Sequence, residues 1–146
     1  MPATTKPELA AQRLLREAGK KKGPVVLERI AERLGIEIVE QPLGAELSGV
    51  LINKEGESIA IIVNSEHSEK RRRFTIAHEI GHFVLGHPGE MFVDQTLRQK
   101  AVVVKRDGRS SEGTDWHEIE ANRFAAELLM PRQIVEQEIA KRFSSQ

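Results

Sequence analysis

The sequence predicts an α+β fold, a small and largely antiparallel three-stranded sheet flanked by helices, and three observations carry that expectation. Apolar residues recur at helical spacing over residues 7–18, 24–35, 69–85 and 115–130. Three β-prone runs sit together between the second and third of those segments. Turn-rich stretches, Gln41–Gly44 and Asn53-Lys54-Glu55-Gly56, separate the runs, as in strands that fold back on one another.

In the first helix, from Pro7 to Ala18, Leu9, Ala10, Leu14 and Ala18 keep the helical period until Gly19 and Lys20-Lys21-Lys22-Gly23 break it. Pro24 opens the second, where a first turn tolerates proline; Val26, Leu27, Ile30, Ala31 and Leu34 mark its apolar face and Gly35 its stop. Strands are expected at Ile36–Val39, Ser48–Ile52 and Ser58–Val63. Ser68 caps a third helix from about Glu69 to Leu85, closed by Gly86 and Pro88. Residues 88–114 are polar and glycine-rich, with only Ala101–Val104 strand-like, and are expected to form one long loop, functional or mobile. Asp115 caps a fourth helix to Met130, Pro131 ends it, and a last helix covers roughly 131–143. One domain accounts for the 146 residues, with 1–6 and 144–146 as flexible ends.

Composition narrows the function. The 22 Lys and Arg balance 22 Asp and Glu, so the basic footprint of a nucleic-acid-binding domain is missing and no direct nucleic-acid contact is expected. The absence of cysteine excludes disulfides and thiolate-held zinc, leaving His, Asp and Glu as the strong metal ligands. It also excludes a deformylase-type centre, which needs a cysteine. The opening MPATTKPELA lacks the apolar core of a secretory signal, and no stretch approaches the roughly 18 apolar residues of a membrane span. A cytoplasmic chain without membrane contact is expected.

The most informative residues are His78-Glu79-Ile80-Gly81-His82. Two imidazoles at i and i+4 lie one helical turn apart on one face and can reach a single ion, while Ala77, Ile80 and Val84 offer the opposite face for burial. Glu79 directly follows the first imidazole, where a carboxylate can act as general base toward water. A catalytic zinc needs a third protein ligand. An elongated metzincin motif is ruled out, because Leu85 and Pro88 occupy the positions that its glycine and histidine need, and His87 lies one residue short beyond a glycine break. The segment Trp116–Pro131 is the remaining source: Glu118 and Asn122 share a face at i, i+4, so Glu118 can bind metal while the Asn122 amide oxygen accepts a hydrogen bond from a ligand imidazole. The alternative for Glu118 is a capping box with Asp115, and Glu120 points off the shared face.

Three stretches together resemble the ImmA/IrrE family of bacterial and phage metallopeptidases: Pro24-Val25 with Ile30–Ile36, Arg71–His82, and Glu118–Pro131. The resemblance spans most of the chain. It implies one Zn2+ per chain held by His78, His82 and Glu118, with Glu79 as the catalytic carboxylate, and it favours Glu118 over Glu120 and His117. It also implies a zinc-dependent endopeptidase whose substrate is a helix-turn-helix, DNA-binding repressor of stress or mobile-element genes. The alternative is a non-catalytic zinc-containing module that sequesters a repressor or toxin partner.

Other residues are given plainer expectations. Arg71, Arg72 and Arg73 are read as a solvated helix face. With no tyrosine, a donor to a developing oxyanion must be a histidine, an arginine or a backbone N–H; His87 and His117 are candidates, though each is more simply a solvent-exposed histidine. Trp116 is expected to anchor its helix, with Ala121, Phe124 and Leu128 as the core stripe, and an edge strand near the cleft is expected to take an extended peptide.

Overall fold

The computed structural model describes residues 6–19, 24–95, 100–105, 110–112 and 115–144. Five helices and six strands follow in the order α1 (Lys6–Glu17), α2 (Leu27–Leu34), β1 (Ile36–Gln41), β2 (Leu47–Ile52), β3 (Ile59–Asn64), α3 (Glu69–Val84), β4 (Met91–Gln95), β5 (Lys100–Val104), β6 (Ser110–Glu112), α4 (Asp115–Leu129) and α5 (Arg132–Ser144). Of the expected flexible ends, 1–5 and 145–146 lie outside the described residues, while Lys6 and Ser144 belong to helices.

The α+β class holds, but the sheet is twice the expected size. Its strand order is β1-β3-β2-β4-β5-β6, with β1 and β3 parallel and every other pair antiparallel. The extra strands come from residues 88–114, which form β4, β5 and β6 where one long loop was expected. The reason is visible in β4: Phe92 and Asp94 both face inward. A carboxylate at a core-facing position spoils the apolar alternation by which a strand is recognised. At the N-terminal side, α2 starts at Leu27 rather than Pro24, with Val26 at its cap and Gly35 closing it.

The core joins one face of α2 to the inward residues of the sheet and to α3 and α4. Leu27, Ile30, Leu51, Ile61, Val63, Ile80, Phe124 and Leu128 are fully enclosed there. Ala121, Phe124 and Leu128 form the expected stripe of α4. Ser68 caps α3, its hydroxyl accepting the Arg71 N–H at 3.3 Å. The α3–α4 contact is close because residue 81 is glycine: a Cβ there would lie 2.9 Å from Phe124 Cδ1 and 3.3 Å from the Ala121 carbonyl oxygen. The third position between the paired histidines of α3 thus sets how near α4 can bring its own polar face. Among the described residues no helix is long and apolar enough to cross a membrane.

Candidate metal centre

His78 and His82 turn their Nε2 atoms toward each other at 3.1 Å, and α4 delivers Glu118 onto both, with Oε1 3.2 Å from His78 Nε2 and Oε2 2.9 Å from His82 Nε2. Asp94 of β4 adds a fourth group, 3.6 Å from His78 Nε2. Donors held about 2.0–2.1 Å from a tetrahedral ion sit about 3.3 Å from one another, so these spacings match a shared ion. Two oxygens that a cation would satisfy, Glu118 Oε2 and Asp94 Oδ2, are buried without a well-formed hydrogen bond. The cluster of His78, His82, Asp94 and Glu118 can hold a metal ion.

The surroundings orient these groups. His78 places Nδ1 2.8 Å from the Asn122 amide oxygen, donating its N–H there and leaving Nε2 as the atom turned to the cluster, as expected from the shared face of Glu118 and Asn122. Burial by itself lowers the pKa of His78, but the carboxylates of Asp94 and Glu118 outweigh it and raise the imidazole from 6.5 to about 10. For Glu118, burial favours the neutral acid, and His78 and His82 overcome it to hold the carboxyl far below the usual range. The opposed shifts reflect the attraction between imidazole and carboxylates gathered in one buried cluster.

Glu79 is fully enclosed, and neither carboxylate oxygen has a well-formed hydrogen bond. Burial first, then the negative charges of Asp94 and Glu118, push its carboxyl well above the ordinary value. A cleft of about 530 Å³ opens over the cluster, lined among others by Arg71, Phe74, His78, Asp94, Glu118 and Asn122.

Residues 31–146 match the peptidase family M78, described as the IrrE N-terminal-like domain. The chain belongs to that family. A curated relative, "Uncharacterized immunity region protein 2" of Bacillus phage phi105, is 31% identical over 128 residues, which is 88% of this chain and 70% of that protein. Within this M78 domain the sequence brings His78, His82, Glu79, Glu118 and Asn122 into one site, and sequence reasoning missed Asp94, hidden in the supposed loop.

Four plainer expectations are corrected. His87 is buried, with Nδ1 2.8 Å from His82 Nδ1 and Nε2 2.9 Å from Glu120 Oε1, and the His117 ring stacks on it with centroids 4.3 Å apart. Neither histidine lines the cleft. The arginine run is divided: Arg72 donates to the His67 carbonyl and Arg73 to the Val25 carbonyl, each at 2.9 Å, and Arg71 lines the cleft. Trp116 is exposed beneath Arg123, 5.8 Å from its ring centre, and anchors nothing in the core. The cleft is lined by Ser48 of β2 and by Asp94 and Gln95 of β4, two interior strands, while the edges of the described sheet are β1 and β6. Among the described residues no edge strand therefore lines the cleft.

Proposed function

We propose that this chain is a zinc-dependent endopeptidase in which His78, His82 and Glu118 hold one Zn2+ and Glu79 is the general base. The observation that carries the reading is Glu79 itself: a fully buried carboxyl with two unsatisfied oxygens, beside a cluster that can hold a cation. A purely structural metal site has no use for such a group. When bound, zinc supplies Lewis acidity toward a carbonyl oxygen and lowers the pKa of water to about 7.

The chain's own residues supply the rest. A Glu79 oxygen takes a proton from the attacking water and returns it to the nitrogen of the departing strand. Asn122 fixes the His78 ring, and the enclosed setting of Glu79 keeps bulk water from competing for the proton. Phe74 gives the cleft an apolar wall and Arg71 a cationic rim, which suits an extended protein segment carrying apolar and acidic side chains.

The substrate proposed is a helix-turn-helix repressor in a mobile-element or stress-response switch of the cytoplasm. Support comes from the family and from a relative named for the immunity region of a phage. The balanced charge supports action through a DNA-binding protein rather than on DNA directly. The test uses Glu79→Gln, which keeps the ligands and removes the base, to capture partners from the host. The zinc-loaded parent is then given each captured protein. Cleavage of a transcriptional regulator by the parent and not by the variant is expected. Capture of a regulator that the zinc-loaded parent never cuts would favour the sequestering module.

A further inference from the structure

His78 and His82 both offer Nε2 to the cluster, yet the residue that orients each is different in kind. Behind His78 stands an amide oxygen, which can only accept. Behind His82 stands another imidazole, which can accept or donate according to where its proton lies. A contact between two neutral rings at Nδ1 holds one proton. If His87 supplied it, His82 would carry its own proton on Nε2, facing Glu118, and could not be a ligand.

The fold settles which ring supplies it. The C-terminus of α3 closes with Gly86 at φ +70°, its N–H bonded to the Phe83 carbonyl at 3.1 Å, and the His87 N–H bonded to the His82 carbonyl at 3.1 Å. This is the Schellman arrangement, in which the second residue after the cap turns back over the last turn of the helix. An apolar pair usually fills that contact; here the two imidazoles fill it. On the far side of His87, Glu120 Oε1 lies 2.9 Å from Nε2. A carboxylate only accepts, so the one N–H of a neutral His87 goes to Nε2. Its Nδ1 then has a lone pair and accepts from His82 Nδ1–H. Phe92, stacked on His82 at 4.6 Å with the planes 15° apart, holds the ring at that angle.

We propose that Glu120 and His87 form a positioning relay, Glu120 carboxylate to His87 Nε2 and His87 Nδ1 to His82 Nδ1, that fixes the tautomer of His82 so that its Nε2 binds the ion. His87 and Glu120 touch neither substrate nor ion; they act through His82. The proposal rests on the metal-binding part of the proposed function and not on proteolysis. It also gives Glu120, which lies off the Glu118–Asn122 face, an indirect bearing on the metal.

The test is zinc affinity of the full chain, by competition with a chromophoric chelator, for the parent, His87→Ala, Glu120→Ala, His87→Asn and the double variant His87→Asn/Glu120→Ala. Loss of such orienting partners costs about ten- to a hundredfold in affinity, and this is expected for His87→Ala and for Glu120→Ala, which removes the acceptor of the His87 N–H. His87→Asn puts an amide oxygen where Nδ1 stood; it should restore most of the affinity, and in that background Glu120→Ala should have no further effect. Melting temperatures of the metal-free variants separate loss of orientation from loss of fold, and if His87→Ala does not fold, the other three variants still decide. Undiminished affinity in Glu120→Ala, or an equal loss from Glu120→Ala with Asn at position 87, overturns the relay. A parent chain that binds no zinc overturns both the relay and the proposed function, whereas a parent that binds zinc but never cleaves leaves the relay standing.

Discussion

Replacing Gly81 by alanine tests whether the α3–α4 contact, and with it the placing of Glu118 and Asn122, depends on the missing side chain. In an uncrowded helix the change would stabilise the protein by about 1 kcal/mol through helix propensity. Here the new Cβ would lie 2.9 Å from Phe124 Cδ1, and apolar atoms prefer about 3.5–4.0 Å, so at least about 0.6 Å of separation is needed. Phe124 is fully enclosed and cannot swing aside, and the Ala121 carbonyl at 3.3 Å is backbone. Overpacking of this kind costs about 1–3 kcal/mol, which offsets the propensity gain and leaves a net loss of up to about 2 kcal/mol. For a domain of this size that is a fall of several degrees in Tm, at about 2–4 °C per kcal/mol. The same displacement applied to the 2.8 Å His78–Asn122 bond would take it to about 3.4 Å, past good hydrogen-bond length, so zinc affinity should fall too. Thermal unfolding of metal-free protein measures the first effect and chelator competition the second. A raised Tm with unchanged zinc affinity would refute the reasoning.

Alanine at His78, His82 or Glu118 should each strip zinc from the purified protein, measured by elemental analysis, whereas Asp94→Asn should weaken binding less, since Asp94 stands farther off at 3.6 Å. Asn122→Ala should cost about ten- to a hundredfold in affinity, because the His78 ring loses its acceptor. Zinc affinity should rise with pH up to about 10, since the ion must displace the proton that Asp94 and Glu118 hold on His78; titration with chelator at several pH values checks this. Metal-free stability should follow the opposite sign for the same group. Its raised pKa gives a contribution fully present below pH 6.5 and lost as pH rises through about 10, visible in denaturant midpoints.

Legibility in the sequence followed local chemistry. Residues whose roles depend on spacing along one helix were placed together correctly: His78 and His82 on α3, Glu118 and Asn122 on α4, and the Ala121, Phe124 and Leu128 stripe. What failed depended on long-range pairing. Strand β4 is held between β2 and β5, and its inward Asp94, between Val93 and Gln95, spoils the local strand signal. His87 looked like a surface residue beyond a helix stop because nothing in its neighbours announces that the Gly86 turn folds it back onto His82 and under His117. The arginine run looked uniform, yet successive residues on a helix point about 100° apart, so Arg71 reaches the cleft while Arg73 reaches the Val25 carbonyl. Gly81 carried a signal that only the partner helix explains, a small residue where two ligand-bearing helices meet.

The central claim is tested most directly by anomalous diffraction at the zinc absorption edge from crystals of the zinc-loaded protein. The account predicts one peak per chain, about 2.0–2.2 Å from His78 Nε2, from His82 Nε2 and from a Glu118 oxygen, with Glu79 beside it and not bonded to it. A peak bonded through Nδ1 of either histidine, one held by Glu120 in place of Glu118, or no peak between α3 and α4 would contradict it.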